Sequence, residues 1–219
     1  MEPKKKKKSR RNFLYHAALV VLPIIYAIFT PLRFRRSGKI PDGKFIICCN
    51  HITGHDPFYL AIFHRKRKVC FMAKEELFRN RFLGALIRSV GSFPVSRGNS
   101  DRSAIVRAEE VIENGDVLGI FIEGTRSKTG ELLKPKAGAA LIAYQTNTPI
   151  LPMCITPRGG TAKILFHRIK VSSGELIQPQ ELGIVNGTSS ELRNAARLVM
   201  DRITALREED LAEFERGKK

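Results

Sequence analysis

KFIICCNHITGHDPF, residues 44–58, passes from an apolar run at 45–49 through a polar turn into Asp56-Pro57. Proline is favoured at the first positions of a helix, where its missing N–H costs nothing. A buried strand, a turn and a helix start in that order form the repeating unit of an α/β domain. The turn then lies at the carboxyl edge of the strand, where such folds gather their reactive groups.

Working outward, the same alternation continues. Apolar, β-rich runs occur at 69–73 (VCFMA), 91–95 (GSFPV), 117–122 (VLGIFI), 149–155 (PILPMCI), 162–171 (AKILFHRIKV) and 174–178 (GELIQ). Helical patterns separate them. DRSAIVRAEEVIENG has Asp101 as N-cap, apolar Ile105, Ala108, Val111 and Ile112 at spacings of three and four, and Gly115 past the end. AGAALIAYQTN, 137–147, is a second helix, rich in small residues that allow close packing. From Thr188 a capping box with Glu191 opens a long amphipathic helix, its face formed by Leu192, Ala195, Ala196, Val199, Ile203 and Leu206.

The turn 50–58 holds two histidines and one aspartate. A histidine base needs a partner that fixes its tautomer and stabilises the imidazolium it becomes, and a carboxylate does both. His55 adjoins Asp56, and neighbouring side chains point apart. His51 and Asp56, five apart with Gly54 between them, can converge across the turn, so His51 is the base expected from spacing.

The 219 residues carry 38 Lys+Arg against 21 Asp+Glu, a formal charge of +17, and this favours anionic partners. Cys48, Cys49, Cys70 and Cys154 show no C-x-x-C spacing, which predicts buried, reduced thiols rather than a zinc site or a disulfide framework. Residues 1–11 are a polybasic tail with Lys4 to Lys8, Arg10 and Arg11, followed by an uncharged stretch from Phe13 to Leu32 and then Arg33, Arg35 and Arg36. The stretch lacks the small-residue cleavage site of a signal peptide, and its length just meets that of a single span. Pro23 in its middle and cations on both flanks favour a kinked helix lying in one leaflet. The expected organisation is therefore a polybasic tail at 1–11, a membrane-associating helical segment at 12–36 and a catalytic domain at 37–219.

Further motifs follow in order: GSFPVSR with Gly91, Phe93, Val95 and Arg97; FIEGTRS with Glu123, Gly124, Thr125, Arg126 and Ser127; and TPILPMCI with Pro149 and Pro152. With the His-x-x-x-x-Asp turn they make four blocks whose joint order resembles the glycerolipid acyltransferases, most closely the 1-acylglycerol-3-phosphate acyltransferases, over roughly residues 35 to 185. MAKEELF, with Lys74, and KPKAGAALIA, with Lys136 and Gly138, also resemble family segments. Ile122 stands where a proline is common and Thr53 where a serine is frequent; neither change removes a reacting group.

The resemblance implies an α/β fold with a mixed, largely parallel sheet flanked by helices, like the glycerol-3-phosphate acyltransferases. It implies acyl transfer from acyl-CoA or acyl carrier protein, as co-substrate rather than cofactor, to the sn-2 hydroxyl of lysophosphatidate, giving phosphatidate. Glycerol 3-phosphate or another lysophospholipid is the alternative acceptor. His51 and Asp56 would be catalytic, Lys74, Arg97 and Arg126 would hold the substrate phosphate, and Glu123, Gly124 and Thr125 would orient the acceptor. Membrane phospholipids are then partners, and the expected location is the cytoplasmic face of a membrane, by a monotopic anchor or a single span. The basic run HRKRK, 64–68, suits either anionic lipid or an anionic acyl carrier. No RNP-like aromatic pattern or basic recognition helix supports a nucleic acid partner. His64 and His167 lack acidic neighbours at ligand spacing, which argues against a catalytic metal.

Overall fold

The structure, a computed structural model, describes residues 20, 21, 23, 24, 26, 29–81, 84, 87, 88, 91–95, 102–161 and 167–217. Its strands are β1 (Leu32–Arg36), β2 (Ile46–Cys49), β3 (Val69–Lys74), β4 (Phe93–Val95), β5 (Val117–Phe121), β6 (Ile150–Pro157) and β7 (Ile169–Ser173). They join in one sheet of order β1-β7-β6-β2-β5-β3-β4. The β6–β7 pairing is antiparallel and the other pairings are parallel. The mixed, largely parallel sheet expected from the sequence is therefore present.

Alternation along β2 sorts the core into two layers. Ile46 and Cys48 face one side, Phe45, Ile47 and Cys49 the other, as the two-residue period of a strand requires. Helices α2 (Arg102–Glu113), α3 (Gly138–Thr146) and α4 (Ser189–Arg216) cover the first side, while α1 (Asp56–Phe63) and Tyr26 cover the second. Helix α4 starts as its sequence predicts: the Thr188 hydroxyl accepts from Glu191 N at 3.3 Å, and the Glu191 carboxylate accepts from Thr188 N at 3.0 Å. Its apolar stripe, including Val199 and Ile203, is buried, each such side chain contributing about 1.5–3 kcal/mol relative to exposure. All four cysteines are free and buried.

Two expectations are corrected. Leu32–Arg36, assigned to the membrane-associating segment 12–36, is strand β1, paired in parallel with β7. Its arginines read as headgroup contacts, yet Arg35 turns to the end of α4, where it meets Asp210, Glu209 and Glu213. Asp210, fully buried, also accepts from Ser172 Oγ at 2.7 Å and Thr156 Oγ1 at 2.9 Å. This network ties β1, β6 and β7 to α4, so the folded domain begins before residue 37. GELIQ, 174–178, is not a strand: Ile177 makes only an isolated bridge with Ile150. Of the run 162–171, residues 162–166 lie outside the described ones, and Ile169 to Val171 open strand β7 as expected.

The polybasic tail, 1–11, lies outside the described residues. Among the described residues no helix is long and apolar enough to cross a membrane. Val20, Val21 and Ile24 are exposed at 65%, 51% and 61%, whereas Tyr26 is buried against Tyr59 and His55.

Candidate active site

At the carboxyl end of β2, Asn50 is clamped to β6. Its Oδ1 accepts from Ile155 N at 2.8 Å and its Nδ2 donates to Ile155 O at 3.0 Å. The chain then turns, and the turn is closed by one carboxylate. Asp56, the first residue of α1, is fully buried. Its Oδ2 accepts from Ile52 N at 2.6 Å, Thr53 N at 2.9 Å and His51 Nδ1 at 2.7 Å, and its Oδ1 accepts from Thr53 Oγ1 at 2.8 Å. Burying a carboxylate is costly unless donors replace its water, and here four do. Thr53 supplies the hydroxyl a serine would, and that oxygen also accepts from His55 N at 3.1 Å.

His51 donates through Nδ1, which leaves Nε2 as the ring nitrogen able to accept a proton. Its side chain is 16% exposed, enough to be reached from outside. One ring face lies flat on Phe121, centroids 3.9 Å apart and planes 13° apart. His55 turns the other way, its Nδ1 3.0 Å from Tyr26 Oη. Of the two histidines, the structure brings His51 to Asp56.

The FIEGTRS segment follows β5, the strand beside β2. Ile122 N donates to Cys49 O at 3.0 Å and Ser127 N to His51 O at 2.8 Å, so this loop is laced to the histidine turn by its backbone. Gly124 has φ +69, a conformation that favours glycine. Thr125 and Arg126 are exposed. Arg126 Nη1 lies 3.8 Å from where a Cβ would stand on Gly54, so the guanidinium borders the histidine turn.

Glu123, expected to face the acceptor, is only 2% exposed, and neither carboxylate oxygen has a hydrogen-bond partner of good geometry. Burial pushes its carboxyl up to about 7; backbone groups of Leu133 and His51 pull it down, and the Asp56 charge adds to the rise. It lies beneath the site rather than on its surface. Lys74 ends β3, 43% exposed and 4.0 Å from Glu76. Arg97 lies outside the described residues. Among the described residues the site holds no ready thiolate. Cys49 is fully buried and its thiol is pushed well up by burial.

Two residues the sequence reading passed over belong to this geometry. Asn50 carries a signal only as a polar residue directly after a buried strand. Phe121 carries one as an aromatic at a strand's end, two residues before Glu123.

The family model described as Acyltransferase matches residues 31–156. The chain is 33% identical over 186 residues to the 1-acyl-sn-glycerol-3-phosphate acyltransferase of Streptococcus pneumoniae, covering 83% of this chain and 69% of that protein. It is 29% identical over 164 residues to the Bacillus subtilis protein of the same name, covering 74% and 81%. The fold is similar to the crystal structure of the 1-acyl-sn-glycerophosphate acyltransferase from Thermotoga maritima, with TM-score 0.67, 23% identity, and 89% of this chain and 79% of that one covered. A match over more than half of the residues, on a sheet whose carboxyl edge carries a histidine–aspartate pair, makes this chain a member of the acyltransferase family.

Proposed function

We propose that this protein transfers a fatty acyl group from a thioester, acyl-CoA or acyl carrier protein, to the sn-2 hydroxyl of 1-acyl-sn-glycerol 3-phosphate, forming phosphatidate. The observation that carries the reading is the 2.7 Å contact between His51 Nδ1 and Asp56 Oδ2 at the end of β2. An alcohol is a weak nucleophile near neutral pH, and a positioned base that takes its proton during attack contributes typically about 10²–10⁴-fold. His51 Nε2 is that base. The alcohol oxygen attacks the thioester carbonyl, a C–O bond forms, and the C–S bond then breaks. The proton held on His51 passes to the departing thiolate. The thioester is already activated, so no acyl-enzyme is required.

Arg126, exposed beside the histidine turn, would grip the acceptor phosphate with its planar fork. Arg97 is assigned to the same phosphate on the strength of the family resemblance, and Lys74, which the resemblance also turns toward it, would attract it from farther out at the end of β3. Gly124 and Thr125 would line the acceptor's path, and Glu123 would support them from below. Substrate and product are lipids, so the enzyme would work at a membrane surface, engaged through the apolar segment before β1 and the basic tail. The names of the two bacterial relatives support this acceptor over glycerol 3-phosphate.

Purified protein in mixed micelles, given labelled oleoyl and palmitoyl donors on each carrier, should acylate lysophosphatidate at least ten times faster than glycerol 3-phosphate. Equal or greater use of glycerol 3-phosphate would overturn the acceptor assignment. Transfer that persists in His51→Ala would overturn the base.

A further inference from the structure

The Asp56 hydrogen bond fixes one atom of the His51 ring. It leaves the ring free to tilt about the Nδ1···Oδ2 axis, and such a tilt swings Nε2 away from any acceptor hydroxyl. A second restraint is needed to set the ring plane, and a flat aromatic face supplies one.

That face is built across three neighbouring strands. Cys49 of β2 stands opposite Phe121 of β5 in the parallel register, and His51 lies two residues beyond Cys49. Gly119 stands opposite Phe71 of β3 and two residues before Phe121. The Phe71 ring, 3% exposed, lies parallel to Phe121 with centroids 5.7 Å apart and planes 13° apart. It reaches that position only because residue 119 lacks a side chain. A Cβ there would stand 2.3 Å from Phe71 Cε1 and 2.6 Å from Cδ1, far inside contact distance. The order is thus Phe71, Phe121, His51, with the inner ring belonging to the buried core layer that also holds Phe45 and Ile47.

We propose that Phe121, backed by Phe71 over Gly119, is a positioning residue that holds the His51 imidazole in the plane needed for proton transfer. Phe121 itself neither bonds to substrate nor moves a proton in this scheme; it touches only the face of the imidazole. Its effect is on the fraction of time Nε2 faces the acceptor, so it belongs to kcat rather than to substrate affinity. Displacements of about 1 Å in a reacting group cost on the order of 10²-fold. The inference rests on His51 being the base of the proposed transfer.

The test uses the full chain in mixed micelles with Phe121→Leu, Phe121→Tyr and Phe71→Leu. Phe121→Leu should lower kcat by about 10- to 100-fold with the KM for lysophosphatidate within about twofold, because uniform binding is untouched. Phe121→Tyr, which keeps the ring, should restore most of the rate. Phe71→Leu, farther from the histidine, should lower kcat less. In protein carrying labelled histidine, the His51 ring protons should be shifted upfield by the ring current of Phe121. That shift should survive in Phe121→Tyr and vanish in Phe121→Leu. A Phe121→Leu enzyme with wild-type kcat overturns the proposal, and so does one whose His51 resonances stay where they were. The resonances are read without turnover. Wild-type protein inert towards lysophosphatidate but showing the shift, lost in Phe121→Leu, therefore refutes the acceptor assignment and leaves the ring restraint standing.

Discussion

Replacing Asp56 by asparagine separates the charge of the carboxylate from its geometry. The Oδ2 position receives three donors, from His51 Nδ1, Ile52 N and Thr53 N, while Oδ1 receives only the Thr53 hydroxyl. An amide NH₂ cannot occupy the first position, because it would face two backbone N–H groups. It must occupy the second, where the hydroxyl can turn and accept. The substituted side chain would therefore keep its carbonyl toward the histidine and preserve the Nδ1–H tautomer. What it removes is the negative charge opposite the imidazolium formed during attack. At a charge separation of about 4 Å and an effective dielectric constant of about 20, that interaction is worth at most about 4 kcal/mol. At about 1.36 kcal/mol per decade this is a ceiling of roughly 10³-fold in kcat, and a loss of about 10²–10³-fold is expected. Steady-state transfer to lysophosphatidate measures it, with His51→Ala, expected to abolish turnover, as the floor. An Asp56→Asn enzyme within tenfold of wild type and still folded would refute the charge role. One as dead as His51→Ala, with an altered histidine tautomer by nitrogen NMR, would refute the orientation assigned to the amide.

Arg126→Ala should raise the KM for lysophosphatidate by about 10- to 100-fold with a smaller change in kcat, since a charge-assisted hydrogen bond contributes about 1.5–3 kcal/mol. His55→Ala should leave kcat within a few-fold of wild type, its ring being turned to Tyr26 rather than to the base. Glu123, raised to about 7 in the fold from an ordinary 4.5, favours folding most below its unfolded value and loses that contribution as pH climbs through 7. Denaturant melts at pH 5 and pH 8.5 should thus show the wild type losing about 1–3 kcal/mol more than Glu123→Gln, and parallel losses would contradict a buried, proton-binding carboxyl. Thr188→Ala should lower stability by about 1 kcal/mol through loss of the α4 cap, with transfer activity unchanged.

What the sequence made legible was whatever depends on local periodicity and spacing. The β2 turn, the Thr188 capping box and the pairing of His51 with Asp56 are set by residues within a few positions of one another. Strand β1 was hidden because its partner, β7, lies more than 130 residues away, and because three arginines beside an uncharged stretch look like headgroup contacts until Asp210 is seen behind Arg35. The burial of Glu123 is hidden for the same reason. Its motif marks it as polar and near the site, but whether it faces solvent depends on how the loop after β5 folds over it. Phe121 escaped notice because an aromatic at a strand end is ordinary, and only the register of β2, β5 and β3 reveals which ring it touches.

That register also orders the cations. The loop after β5 is one strand away from His51, and Lys74, at the end of β3, is two strands away, a separation of about 10 Å at ordinary strand spacing. In lysophosphatidate only C3 and its oxygen separate the sn-2 carbon from phosphorus. A phosphate within reach of a hydroxyl held at His51 is therefore nearer to the β5 loop than to the end of β3. On the proposed reading Arg126 contacts it directly, and Lys74, already beside Glu76, acts from farther out by drawing anions toward the carboxyl edge. The two residues then differ in their response to salt. An exposed charge acting over about a Debye length is screened as ionic strength rises, whereas a bidentate contact made inside the complex is screened much less.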